Sequence, residues 1–151
     1  MSSTQTQITL STALAADIRR ATHRILATLK ATPEDKWDFK PSPTGKSIRE
    51  IAQHAIEGNG YCAGPLQVPV TWNAEPSDSA DILQVLETSG GALAAAAEQG
   101  GDAFVQGEVE FFGQKFTGCD FLQVTEWHIS RHAGQIDYVQ TLYGDLEDHG
   151  Q

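Results

Sequence analysis

Basic residues are in short supply in this chain of 151 residues: ten Lys and Arg stand against twenty Asp and Glu, a formal charge of −10, with an isoelectric point near 4.7. A field of that sign repels phosphate backbones and anionic bilayers, so it argues against nucleic acid and against a membrane as partners. The one basic cluster, Arg19, Arg20 and Arg24, reads as a solvated helix face. Cysteine is nearly absent. Cys62 and Cys119 lie far apart and fit no Cys-x-x-Cys pattern, so buried free thiols are expected, with a disulfide left open. No apolar run approaches the ~20 residues that cross a bilayer, and Met1–Gln7 has neither the positive start nor the apolar stretch of a signal peptide. A soluble cytoplasmic protein is the expectation. Also missing are a Ser-His-Asp set and a phosphate-binding glycine loop.

What is present suffices for one core. A hydrophobic content of 40% over this length suits a single domain spanning residues 1–151. From about Thr9 to Leu29, Leu14, Ile18, Ala21, Ile25 and Leu29 recur at helical steps, with His23 off that stripe. Pro33 stops the helix, and Pro41, Pro43 and Gly45 give the following segment loop chemistry, with Trp37 and Phe39 expected to pin it to the core.

Ser47-Ile48-Arg49-Glu50 has the form of a capping box. It opens a second helix with Ile48, Ile51, Ala52 and Ala55 buried and His54 at the stripe's margin; Gly58, Gly60 and Gly64 are expected to fray its end. Glu57 could orient a ligand or meet substrate, or be a plain exposed carboxylate. The stretch Pro65–Ser77 holds three prolines and no helical period. Extended, it reaches about 40 Å, longer than the helix before it, so the third helix can run parallel to the second. Tyr61 and Trp72 are candidate walls of a site lined by this connection.

The third helix begins near Ser79, with Ile82, Leu83, Val85, Leu86 and Leu93 inward; Gly90-Gly91 could kink it and Gly100-Gly101 should end it. Val109–Phe116 is strand-like and suggests a small hairpin turning at Gly113-Gln114. Thr117 and Asp120 could cap the last helix. Phe121 to Tyr143 reads as a long helix whose apolar stripe of Phe121, Val124, Val139 and Leu142 is continued by His128, His132 and Gln135. Two histidines at i and i+4 lie roughly 5–6 Å apart on one face, close enough to share a metal ion, although a packed, hydrogen-bonded pair is the plainer reading. His54, facing them across a bundle core, would be a third imidazole. The fold expected is all-α, a four-helix bundle with a long crossover between helices two and three and a small hairpin before helix four.

The run Lys46 to His54, joined late in the chain by His128-Ile129-Ser130-Arg131-His132-Ala133-Gly134-Gln135, resembles the DinB-like superfamily of four-helix bundles over nearly the whole chain. The resemblance implies parallel second and third helices, a homodimer, and a divalent metal such as zinc or nickel held by His54, His128 and His132. Some members of the superfamily are similar to S-transferases and isomerases that use low-molecular-weight thiols, and the family name refers to induction by DNA damage. Ile129 stands where a zincin helix would carry its glutamate general base, which argues against that proteolytic chemistry.

The function expected is therefore a divalent-metal-dependent enzyme that activates a thiol or a water for S-transfer or hydrolysis of a small-molecule substrate. Gln135 and Glu57 are its candidate catalytic side chains, Gln135 either positioning substrate or supporting a ligand. The alternatives are a non-catalytic stress-response or small-ligand-binding bundle, and a structural dimer whose histidines bind no metal.

Overall fold

Each of the four long helices starts on a side chain that accepts its orphan amides. In the computed structural model, which describes residues 8–150, the Thr9 hydroxyl accepts the Thr12 amide at 3.2 Å while the Thr12 hydroxyl accepts the Thr9 amide at 3.0 Å. That reciprocal cap opens α1 (Leu10–Lys30). Met1–Gln7, the segment without leader character, lies outside the described residues. Ser47 and Glu50 form the expected box, with the Ser47 amide donating to Glu50 Oε2 at 2.7 Å, and open α2 (Ile48–Ala63). Asp78 caps α3 (Ser79–Gln106). After a hairpin of β1 (Glu108–Phe111) and β2 (Gln114–Thr117), Thr117 caps α4 (Gly118–Leu142), which carries Asp120 in its first turn.

Helix directions are set by a few long-range bonds. Ser11 near the start of α1 donates to the Ala97 carbonyl late in α3 at 2.9 Å, and Thr22 lies against Gly90, so α1 and α3 are antiparallel. Arg49 reaches the Ser77 carbonyl at 2.5 Å and Asn59 donates to Ser89 at 2.8 Å. Those contacts make α2 and α3 parallel, as the long connection allows. Gln140 at the end of α4 donates to the Thr28 carbonyl and the Thr32 hydroxyl at the end of α1. The bundle core holds Ile18, Ile25, Ile48, Ile56, Leu86, Leu93, Phe121 and Leu122, all at most 1% exposed. His23 is exposed, Trp37 is buried and Phe39 packs on the core. Cys62 is buried, Cys119 half-buried, and both are free.

Four local expectations are corrected. The buried stripe of α4 runs through Phe121, Leu122, Thr125, Ile129, Ala133, Ile136 and Val139, while Leu142 is 47% exposed. This moves His128 and Gln135 to the stripe's margin. Gly58 and Gly60 do not fray α2, which continues to Ala63. Gly90-Gly91 leaves α3 unkinked; the break is at Gly101, with φ 58° and ψ −158°, after which helical turns resume to Gln106. The hairpin turns at Phe112-Gly113, not Gly113-Gln114, because Phe111 pairs with Gln114. Both turn residues have positive φ, 49° and 72°, as the tight turn that matches strand twist requires.

Arg49 ties the loop segments to this frame. Its Nε and Nη2 donate to the two Asp38 carboxylate oxygens at 2.8 and 3.1 Å, and its guanidinium lies 5.4 Å from the Trp37 ring centre. One side chain thus joins the 31–47 loop, the start of α2 and the entry to α3. The Arg49 hydrogen bond holds the Asp38 carboxyl below its ordinary range.

Two measurements check this packing. Gly91→Ala meets nothing within 4 Å, whereas a Cβ on Gly90 would lie 2.2 Å from the Thr22 hydroxyl oxygen. Gly91→Ala should therefore raise stability by up to about 1 kcal/mol and Gly90→Ala lower it by about 1–3 kcal/mol, read as urea midpoints; equal shifts would contradict the contact. For Asp38 the folded pKa is depressed, so its contribution is present above the unfolded value of about 3.9 and is lost as pH falls through the folded value. Asp38→Asn should be less stable than the parent near neutral pH and approach it near pH 2–3; a gap that persists there would exclude the ion pair as its source.

Candidate metal centre

The antiparallel approach of α2 and α4 brings three imidazoles together. His54 comes from α2, and His128 and His132 come from successive turns of α4. One candidate ligand atom from each lies within 4.8 Å of the other two. His128 Nε2 and His132 Nε2 are 3.1 Å apart, close to the ~3.3 Å separating two ligands of a tetrahedral ion at about 2 Å. His132 is 4% exposed, whereas the His54 side chain is 42% exposed. The cluster thus opens to solvent on the α2 side.

Gly58 makes that approach possible. A Cβ at this position would lie 2.0 Å from His128 Cε1. The glycine is a notch in α2 into which the His128 ring fits, and not a point at which the helix frays. Its role depends on a residue seventy positions away, so no local pattern could have revealed it.

The tautomers are set from within each helix. Glu57, one turn beyond His54, places Oε2 3.0 Å from His54 Nδ1; a carboxylate only accepts, so that nitrogen carries the proton. The Tyr61 hydroxyl donates to the other Glu57 oxygen at 3.1 Å. Gln135, one turn beyond His132, places Oε1 2.7 Å from His132 Nδ1. In both neutral rings Nε2 is then the lone-pair nitrogen, the form in which imidazole binds a metal, and that of His132 accepts a hydrogen bond from His128 Nε2 at 3.1 Å. His128 is different, since its buried Nδ1 has no protein partner.

Burial, reinforced by the neighbouring histidines, pushes the His128 pKa down to about 4. Burial also lowers that of His132 against the opposing Gln135 bond, with Lys46 and Arg131 adding smaller repulsions. His128 and His132 therefore face each other as neutral rings near pH 7. Three facing imidazoles with two lone pairs already directed by acceptors are a donor set suited to a divalent cation, and the residues present fit one.

Beside His54 lies a cavity of about 810 Å³ walled by Tyr61, Val70 and Trp72. Both expected wall residues, Tyr61 and Trp72, line it. The Trp72 indole nitrogen is buried without a protein partner, and Glu57 lies at the cavity's edge, 52% exposed. Cys62 lies deeper, bonded to Thr125, and its burial raises the thiol pKa. It is a poor nucleophile.

A four-helix bundle with parallel second and third helices and a three-histidine cluster able to hold a metal ion is a defined class of protein. The model of the DinB superfamily matches residues 17–136, and the chain belongs to that superfamily. A DinB-like protein from Bacillus cereus ATCC 10987 aligns over 87% of this chain and 91% of its own, at 15% identity and a TM-score of 0.75. A DinB-like protein from Bacillus subtilis aligns over 89% of this chain and 94% of its own, at 20% identity and a TM-score of 0.67. These likenesses are of fold. No curated protein matches the chain. Among the described residues no helix is long and apolar enough to cross a membrane.

The notch can be tested without any ligand. Gly58→Ala should destabilise the protein by about 1–3 kcal/mol through overpacking, although alanine ordinarily favours a helix by about 1 kcal/mol. Adding His128→Ala should recover most of that loss in a double-mutant cycle. Additive effects would mean that the ring does not occupy the notch.

Proposed function

We propose that the chain is a divalent-metal-dependent enzyme in which His54, His128 and His132 ligate zinc or nickel through Nε2, acting on a small-molecule substrate with a thiol or a water as nucleophile. The observation that carries this reading is the pairing of His54 Nδ1 with Glu57 and of His132 Nδ1 with Gln135, at 3.0 and 2.7 Å. Two separate helices each direct a lone pair towards the same point, an arrangement that a merely packed histidine pair does not need. When bound, a divalent ion would supply the positive charge that lowers the pKa of a thiol or water at its open position.

The protein's own side chains do the remainder. Glu57 and Gln135 hold ligand rings in place, and act as positioning residues. Tyr61 fixes Glu57 in turn. Tyr61, Val70 and Trp72 give one flank of the site an apolar wall. The 42% exposure of the His54 side chain supplies access. A low-molecular-weight thiol as co-substrate suits the deep, unreactive placement of Cys62 beside the site.

Elemental analysis of tag-free protein purified without chelator tests the reading. About one zinc or nickel per chain is expected, lost in His54→Ala, His128→Ala and His132→Ala with helical content retained. Glu57→Ala and Gln135→Ala should each weaken metal affinity by about 10- to 100-fold. Protein that takes up neither metal would leave a bundle with a dry histidine pair, and stoichiometric metal in His54→Ala would remove that residue from the site.

A further inference from the structure

Seven of the ten Lys and Arg are occupied. Arg19, Arg20, Lys36, Lys40, Arg49 and Lys115 pair with carboxylates, and Arg24 donates to the Gly150 carbonyl. Three remain: Lys30, exposed in the last turn of α1, and Lys46 and Arg131, which are set apart by where they lie. Among the described residues neither has a carboxylate within ion-pair distance, yet the chain carries twice as many acids as bases. Both of these cations line one pocket, about 490 Å³ in volume, between the loop at Pro41, Ile51 of α2 and the outer turns of α4.

The pocket's polar lining consists of Lys46, Arg131, Gln135 and Tyr138, with no Asp or Glu. Gln135 spends its oxygen on His132 Nδ1, and its amide NH₂ has no protein partner among the described residues. The Arg131 guanidinium lies 5.3 Å from the Trp127 ring centre. Stacking of that kind occupies the face of the guanidinium and leaves its edge N–H groups available for a planar, two-oxygen acceptor. The contrast with the cavity beside His54 is sharp, because that one includes Glu50, Glu57 and Glu75 in its lining. Lys46 borders both cavities, and Gln135 joins this pocket to the histidine cluster. Two unpaired cations with low-dielectric walls concentrate positive potential locally even in an acidic protein.

We propose that this pocket is an anion subsite of the metal centre, in which Lys46 and Arg131 bind a carboxylate on the far end of the ligand whose thiol or reacting group reaches the three histidines. The proposal rests on the metal-site reading and adds to it the chemical class of ligand. A short thiol carrying a carboxylate is the preferred occupant. A neutral or cationic thiol of the same length is not.

Titration calorimetry of zinc-loaded protein with 3-mercaptopropionate, 2-mercaptoethanol and cysteamine separates these cases, because the three differ only in the group opposite the thiol. The carboxylate compound should bind about tenfold or more tighter than the alcohol, as expected for charge-assisted pairing, and the ammonium compound weakest. Lys46→Gln/Arg131→Gln should abolish that preference and leave 2-mercaptoethanol binding unchanged. Equal affinities in the parent protein would overturn the subsite while leaving the metal site intact. Should the protein take up no metal, the metal reading falls and the subsite is judged alone with glutarate on metal-free protein. Binding weakened in the double variant would then support it, and no binding, or binding indifferent to both substitutions, would overturn it.

Discussion

The close approach of α2 and α4 at Gly58 and His128 is the constraint on which the rest depends. A ring set 2.0 Å from where a Cβ would stand fixes the spacing, the rotation and the register of the two helices together. The caps hold the same register from the helix ends. Ser47 and Glu50 fix where α2 begins, Thr117 fixes where α4 begins, and Arg49 locks the start of α2 to both flanking loops. A slip of one residue in either helix turns its contribution away by about 100°, and the three nitrogens no longer converge.

The two helices solve the same orientation problem with different chemistry. Two of the three histidines have a partner three residues on, His54 with Glu57 and His132 with Gln135. The exposed histidine has a carboxylate and the buried one a neutral amide. Burying an ionised carboxylate is costly unless it is fully paired, so the amide is the partner that can sit inside without a counter-charge. The carboxylate sits where water can solvate its remaining lone pairs.

Much of this was legible in the sequence. The capping box at Ser47, the apolar stripe of α1 and the turn-rich Pro65–Ser77 segment are local signals, and each predicted its element to within a residue or two. The histidines stood out because polar residues interrupt an apolar period. What escaped depends on contacts between distant segments. The true α4 stripe is offset from the one chosen because several adjacent stripes of that helix contain apolar residues, and periodicity alone does not say which faces α1. Glycine misled three times, at Gly58, at Gly90 and at the hairpin, since an identical residue serves as a breaker, a notch or a turn according to what lies opposite. Lys46 and Arg131 stood unremarked among the charges, because a missing ion-pair partner is a property of the fold.

The crossover that makes α2 and α3 parallel also shapes how the chain must fold. Neighbouring segments of a simple up-and-down bundle zip together as local hairpins, whereas here Ser11 meets Ala97, Thr28 meets Gln140 and His54 meets His132. Such pairings carry the loop-closure entropy of long intervening chain before any contact rewards it, and they slow folding relative to bundles of local topology. During synthesis α2 is complete well before α4 leaves the ribosome. His54 therefore spends that interval as an isolated surface imidazole, and the cluster comes into being only when the last helix closes the bundle.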